Sequence, residues 1–229
     1  MTMDTSFIQR DVPFSDRAEA GEELARLLRT YAGRSDVVVL GLPRGGVPVA
    51  ATVADALGAP LDVFVVRKLG VPGHRELAMG AIASGGVRML NHQLIKDLGV
   101  GAADVAFVIA EEEDELARRE TLYRHGRAPL KLLGQTVIFV DDGLATGSTM
   151  RAAVQAVRAL GPAHVVVAVP VGSLEACRDL ERVADAVVCA RMPYPFLAVG
   201  RWYLDFSETT DADVIAALQA SSGPARVVQ

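Results

Sequence analysis

A chain of 229 residues with 51% hydrophobic and 22% charged residues carries enough apolar surface for a full core, which excludes a disordered chain and fits one domain spanning residues 1–229. Its formal net charge of −5 excludes a general affinity for nucleic acid or anionic membranes, so an anionic ligand has to be met by a local cluster of cations. Residues 1–20 contain Asp4, Asp11, Asp16 and Glu19 without an apolar central run, and no stretch reaches the length of a membrane span, which points to a cytoplasmic protein with no membrane partner.

In chain order, a helix is expected at about 16–31, a strand at 36–40, a helix at 46–57 and a strand at 61–66. Residues 67–92 then break the alternation with five glycines and a hairpin whose arms "AMGAIA" and "VRML" meet near "SGG". A long helix follows at 103–124, where "EEEDELARRE" forms a solvated face with Glu115 and Arg119 charge-matched at i,i+4. Next come a strand at 137–140, a helix at 148–160, a strand at 164–169, a helix at 173–182 and a strand at 186–189. These strands are near-continuous apolar runs, as in parallel sheets covered on both faces, so the fold class is α/β with right-handed crossovers. Residues 190–208 hold Pro193, Pro195 and most of the late aromatics and suggest an appended subdomain, followed at 209–229 by a short helix and a tail. Cys177 and Cys189 lack metal-type spacing and are expected as buried, reduced thiols.

The most informative stretch is "VIFVDDGLATGSTM", residues 137–150. A buried strand runs into Asp141 and Asp142, and then into a loop at the strand's carboxyl end, where open α/β sheets bind ligands. Gly143 and Gly147 permit tight backbone geometry. Thr146, Ser148 and Thr149 add hydroxyls to the free amides of a helix N-terminus, a combination that favours phosphate. The loop has no lysine, so it is not the triphosphate loop G-x-x-x-x-G-K-[ST]. Two carboxylates suit the vicinal hydroxyls of a ribose, accepting a hydrogen bond from each, and the ligand indicated is a ribose carrying a 5'-phosphate. "GLPRGGVPVA", residues 41–50, supplies a second anion site from backbone amides and Arg44 at another strand end. In "VVRKLGVPGHRELAMG", Arg67, Lys68, His74 and Arg75 are cations, or can become so, on a glycine-rich excursion.

The stretch "VIFVDDGLATGST" resembles the phosphoribosyl pyrophosphate (PRPP) signature of the type I phosphoribosyltransferases, and the similarity extends over about residues 36–205. The resemblance implies a parallel-sheet core at about 34–185, a flexible β-hairpin loop at about 67–92, and a small hood at about 186–208 ahead of the C-terminal helix and tail. It implies PRPP binding by Asp141, Asp142, Ala145, Thr146, Gly147, Ser148 and Thr149. Pyrophosphate would be met by Arg44, Gly45, Arg67, Lys68 and His74, with catalysis resting on Arg44, Arg67, Lys68 and Asp142. The loop matching 41–50 often contains an unusual cis peptide in the family. Mg²⁺ would lie near Asp141 and Asp142, directly or through water, and the family's habit implies a homodimer. "PFLAVGRWYLDFSE", residues 195–208, is similar to the hood of purine salvage members. Phe196 and Leu197 would then form a platform for the acceptor and Asp205 its polar contact, while Trp202, Tyr203 and Phe206 either stack on the acceptor or form the core of the hood.

Two departures bear on the acceptor. Ala145 stands where 6-oxopurine enzymes carry a third aspartate, and Pro170 and Val171 end the strand where those enzymes usually place a lysine. Hypoxanthine and guanine are therefore disfavoured, and a substitute base would come from Glu76, His74 or Asp205. The expected function is Mg²⁺-dependent transfer of a 5-phosphoribosyl group from PRPP to a nucleobase or other nitrogen nucleophile, releasing pyrophosphate. The alternatives are a PRPP-binding regulator with little activity, or an enzyme of another class, such as a hydrolase, that uses a ribose 5-phosphate ligand.

Overall fold

Valine-rich runs with no polar face need cover on both sides, and they obtain it here in a doubly wound sheet. The computed structural model describes residues 12–221. Strands β1 (Val37–Gly41), β2 (Leu61–Val63), β6 (Thr136–Val140), β7 (His164–Val171) and β8 (Ala186–Arg191) form one parallel sheet in the order β2-β1-β6-β7-β8. Alternate residues serve opposite faces. Val39, Ile138 and Val166 enter one core, with helices α1 (Arg17–Leu27), α2 (Gly46–Leu57), α4 (Ala102–Arg124) and α7 (Asp211–Ala220). Leu40, Phe139 and Val167 enter the other, with α5 (Ser148–Arg158) and α6 (Leu174–Leu180). The α/β class expected from the sequence is thus present.

Two expectations change at segment boundaries. The apolar run 61–66 is not one strand: β2 ends at Val63, and the chain passes through Phe64 and Val65 into β3 (Val66–Val71) of a second sheet. The Phe64 amide still bonds Gly41 of the first sheet, whereas Val65 already exchanges bonds with Ser84 of the second. A continuous apolar run cannot report this change of partner. The glycine-rich excursion is a three-stranded antiparallel sheet, in which the expected hairpin of β4 (His74–Ala83) and β5 (Val87–Leu90) is joined by β3. A short helix, α3 (His92–Asp97), follows that was not expected, although Asn91 caps it by accepting from the Leu94 amide at 3.0 Å.

Helix α4 does more than present a solvated face. Glu115 pairs with Arg119 as expected, at 2.7 Å, but Glu112 and Glu113 reach Arg67 and Arg88 and tie the helix to the small sheet. Strand β8 continues the parallel sheet to Arg191, so the hood begins after it rather than at residue 186. The hood packs on the start of the chain: Phe14 and Tyr203 bridge as strand partners, and Phe14 is fully buried. The cysteines are unbridged as expected, Cys177 buried and Cys189 half-buried. Residues 1–11 and the tail beyond 221 lie outside the described residues. Among the described residues no helix is long and apolar enough to cross a membrane.

Candidate active site

Because β1 and β6 are parallel neighbours with Gly41 opposite Val140, the loops that leave them emerge side by side. Residues 42–46 and 141–147 are in fact interlocked. The Leu42 amide bonds the Val140 carbonyl at 2.9 Å, and Gly45 and Gly46 lie so close to the acid pair that a side chain has no room. A Cβ on Gly45 would stand 2.0 Å from Asp142 Oδ2, and one on Gly46 would stand 2.7 Å from the Val140 carbonyl and 2.8 Å from Asp141 Cα. The two glycines are therefore required by close approach of the loops. The peptide Pro43-Arg44 within the first loop is cis, which identifies the bond that sequence could not single out.

Asp141 and Asp142 are both half-buried. Asp141 Oδ1 accepts from the Asp142 amide at 2.9 Å, and burial, with the neighbouring Asp142 charge, pushes the Asp141 carboxyl well above the usual carboxylate range. Burial raises Asp142 as well, but a guanidinium opposes it: Arg17 donates from Nη2 and Nε to Asp142 Oδ2 at 2.8 and 3.1 Å. Arg17 also donates to the Ser207 carbonyl at 2.8 Å and lies 4.2 Å above the Phe206 ring. The Tyr203 hydroxyl donates to the Asp142 carbonyl at 2.6 Å. The acid pair is thus positioned by the first turn of α1 and by the hood.

The loop after Asp142 opens at Gly147, whose φ of +69° precedes the first turn of α5. Leu144 is pinned to the next strand end through the Val171 carbonyl and the Ser173 amide, and Ser173 Oγ donates to the Ala145 carbonyl at 2.8 Å. This fixes the backbone and leaves Ala145, Thr146 and Thr149 exposed, with Thr146 Oγ1 3.3 Å from Ser148 Oγ. The loop thus brings the hydroxyls of Thr146, Ser148 and Thr149 to the N-terminus of α5, where first-turn amides lack helical partners, a combination suited to a phosphate.

The remaining candidates divide. Lys68 reaches this loop, 3.5 Å from Ser148 Oγ. Arg67 points to the other side of β3 and is held by Glu112 at 2.7 Å. Arg44 is exposed and ion-paired with Glu208 of the hood. His74 is exposed at the start of β4, and the side chains of Arg75 and Glu76 lie outside the described residues. The acceptor trio is not assembled. Phe196 packs with Phe14 and Tyr203, and Leu197 is 66% exposed beside Trp202 in a cleft of about 620 Å³. Asp205 accepts from the Ser207 amide at 2.9 Å in a different cleft. Tyr203 and Trp202 belong to the hood core, the second of the two readings, and Phe206 carries Arg17. Sequence reasoning missed Arg17 and Glu208. The only local signal for Arg17 was its place after Asp16, which caps α1 by accepting from the Ala18 and Glu19 amides at 2.8 and 2.9 Å.

A parallel sheet with an acid pair and two interlocked, glycine-containing loops on adjacent strand ends places this chain among α/β proteins with their candidate site at the strand ends. A family model described as the phosphoribosyl transferase domain matches residues 73–196, more than half of the chain. The crystal structure of TT1426 from Thermus thermophilus is 44% identical, superposes with a TM-score of 0.83 and is covered in full by 93% of this chain. The Mycobacterium tuberculosis H37Rv protein named "Putative phosphoribosyl transferase Rv0571c" is 48% identical over 205 residues, 90% of this chain and 46% of that protein, so the chain spans about half the length of its curated relative. The chain belongs to the type I phosphoribosyltransferase family.

Proposed function

We propose that the chain catalyses Mg²⁺-dependent transfer of the 5-phosphoribosyl group of PRPP to a nucleobase or other nitrogen nucleophile, with release of pyrophosphate. The observation that carries this reading is the interlock of the two loops: Gly45 and Gly46, which follow Arg44, set a glycine turn directly against Asp141 and Asp142. A ribose held by the acids would place its anomeric carbon toward that turn, where a leaving pyrophosphate needs positive charge. The 5'-phosphate would take the amides and hydroxyls of residues 145–149, and Lys68 would cover it from β3. The anomeric C–O bond then breaks through an oxocarbenium-like state, the bond electrons leave with pyrophosphate, and the acceptor nitrogen attacks the vacated carbon. Arg44 and the loop amides stabilise the charge that grows on the leaving oxygen.

Among the described residues no cluster of three or more His, Cys, Asp or Glu is placed to hold a metal ion alone. Two adjacent carboxylates still fit Mg²⁺, which binds through one or two carboxylates, water and the oxygens of its phosphate ligand. Asp141 and Asp142 would hold it, and it would supply charge neutralisation for pyrophosphate. The acceptor is not a 6-oxopurine in this reading, because Ala145 offers no carboxylate. Work on PRPP in the cytoplasm and assembly as a homodimer belong to the same proposal.

A second reading, a PRPP-binding regulator with little turnover, is favoured by one observation: Arg44 and Arg67 are both engaged by carboxylates, Glu208 and Glu112. The deciding experiment measures pyrophosphate release from PRPP and Mg²⁺ with pooled purines, pyrimidines, orotate and nicotinate, beside a control without acceptor. Release that depends on the pool supports the transferase, and release without acceptor indicates hydrolysis. Binding of PRPP with no release in any arm would refute transfer to these acceptors and favour the regulator.

A further inference from the structure

A cleft of about 520 Å³ lies between the small antiparallel sheet and α5, within the usual range of roughly 300–1,000 Å³ for small-molecule sites. It shares only Lys68 and Ser148 with the site described above, is not lined by the acid pair, and runs along the face of α5 that carries Ser148, Arg151 and Gln155. In a chain with 28 carboxylates and a net charge of −5, no Asp or Glu lines it. Its two fixed cations, Lys68 on β3 and Arg151 on α5, face it from opposite walls. Among the described residues neither is in an ion pair, and Lys68 has only the Ser148 hydroxyl. This contrasts with Arg17, Arg44 and Arg67, each held by a carboxylate.

The rest of the cleft is not a plain anion trap. Met89 and Leu90 of β5 give it a half-buried apolar floor, and the Gln155 amide adds a donor and an acceptor at the rim. Two unpaired cations ask for a phosphate. The apolar floor beside them asks for a flat, weakly polar body attached to that phosphate, and the amide can read a ring edge.

We propose that this cleft is a second phosphate-ester subsite that takes a nucleoside monophosphate, its phosphate between Lys68 and Arg151 and its base over Met89 and Leu90. Because Lys68 and Ser148 also border the loop proposed to hold the 5'-phosphate of PRPP, occupancy of one site is felt at the other. That coupling rests on the proposed function, whereas binding in the cleft does not.

Calorimetry on the full chain tests it, with AMP, GMP, CMP and UMP as probes and ribose 5-phosphate as the probe of the strand-end loop. Arg151 is exposed and outside the proposed catalytic groups, so Arg151→Glu keeps the fold while reversing the charge on one wall of the cleft. The expected result is that at least one nucleotide binds the wild type and loses about tenfold or more in Arg151→Glu, while ribose 5-phosphate binds both proteins alike. No binding by any of the four, or equal nucleotide binding in the variant, overturns the subsite. A parallel loss of nucleotide and ribose 5-phosphate also overturns it, since Arg151 would then belong to the strand-end loop. Failure of ribose 5-phosphate to bind the wild type counts against the proposed function alone, and the dependence of nucleotide binding on Arg151 still decides the cleft.

Discussion

Gly45→Ala isolates the contact on which the proposed function turns. Gly45 sits at φ −60° and ψ −28°, a conformation alanine adopts freely, so the substitution adds only a methyl group. Built on this backbone, that carbon would stand 2.0 Å from Asp142 Oδ2 and 2.8 Å from its Cγ, against an ordinary contact of roughly 3.5 Å. The carboxylate must move by more than an ångström. The oxygen displaced is the one that receives both Arg17 bonds, and the two side chains are only 13% and 16% exposed. Losing a charge-assisted bond of this kind costs about 1.5–3 kcal/mol, which the lower chain entropy of alanine offsets by about 0.4–1 kcal/mol. The net loss of stability is about 1–2 kcal/mol, and ribose 5-phosphate affinity falls by about tenfold to a hundredfold as its diol loses an acceptor.

Gly46→Ala is the control, because its methyl would meet the Val140 carbonyl at 2.7 Å and Asp141 Cα at 2.8 Å. Those atoms belong to a central strand and its exit and cannot turn aside, so the cost is in stability, about 3 kcal/mol. Urea unfolding and ribose 5-phosphate calorimetry on both variants separate the cases. If Gly45→Ala binds ribose 5-phosphate like the wild type, or if the two variants lose the same stability, the steric reasoning and the place of Asp142 in the ligand site are refuted.

Three other perturbations follow from the same contacts. Glu208→Gln frees Arg44; an exposed pair is worth about 0.2–1 kcal/mol, so calorimetry with inorganic pyrophosphate should show about a twofold to fivefold gain in affinity, and no gain would remove Arg44 from that ligand. Asp142→Asn leaves Arg17 without its carboxylate and should weaken ribose 5-phosphate binding about tenfold or more by calorimetry, an unchanged affinity placing the acid outside the site. Burial, then the hydrogen bond to Asp211, push the Tyr123 phenol from 10.0 up to about 12, so the folded chain keeps a proton that the unfolded chain has lost. Its contribution is complete below pH 10 and disappears as pH rises toward 12, and urea midpoints should fall across that window less steeply in Tyr123→Phe than in the wild type. An identical slope would show that Tyr123 does not couple α4 to α7 through this proton.

The parallel sheet and the loop at the end of β6 were legible because both are written locally: unbroken valine runs, and an acid pair followed by glycines and hydroxyls. What was not legible is carried by distant partners. Arg17 and Asp142 are 125 positions apart, and an arginine in the first turn of an amphipathic helix looks like any solvated charge. Arg67 and Lys68 show a signal that was present and unused. Adjacent residues of a strand point to opposite faces, and here one reaches Glu112 and the other Ser148. The expected acceptor residues Phe196, Leu197 and Asp205 are dispersed between a small core and two clefts. Phe196 packs, together with Tyr203, in the small core that covers Phe14 and Val171.

The family match and several of the site's contacts lie in different segments. The family match covers residues 73–196, which include the acid pair and the phosphate loop, but Arg17, Arg44, Gly45 and Glu208 all fall outside it. Asp142 is held by Arg17, Arg44 is held by Glu208, and both counter-ions are tied to the segment between Tyr203 and the cap of α7 at Thr210. Under the proposed function, binding of PRPP would be an exchange of ion pairs: pyrophosphate would displace Glu208, and the ribose diol would share Asp142 with Arg17. Such an exchange costs little for an exposed pair and more for a half-buried one. On the proposed function, pyrophosphate capture would then be the more easily tuned step, and ribose recognition the one set more firmly by the fold.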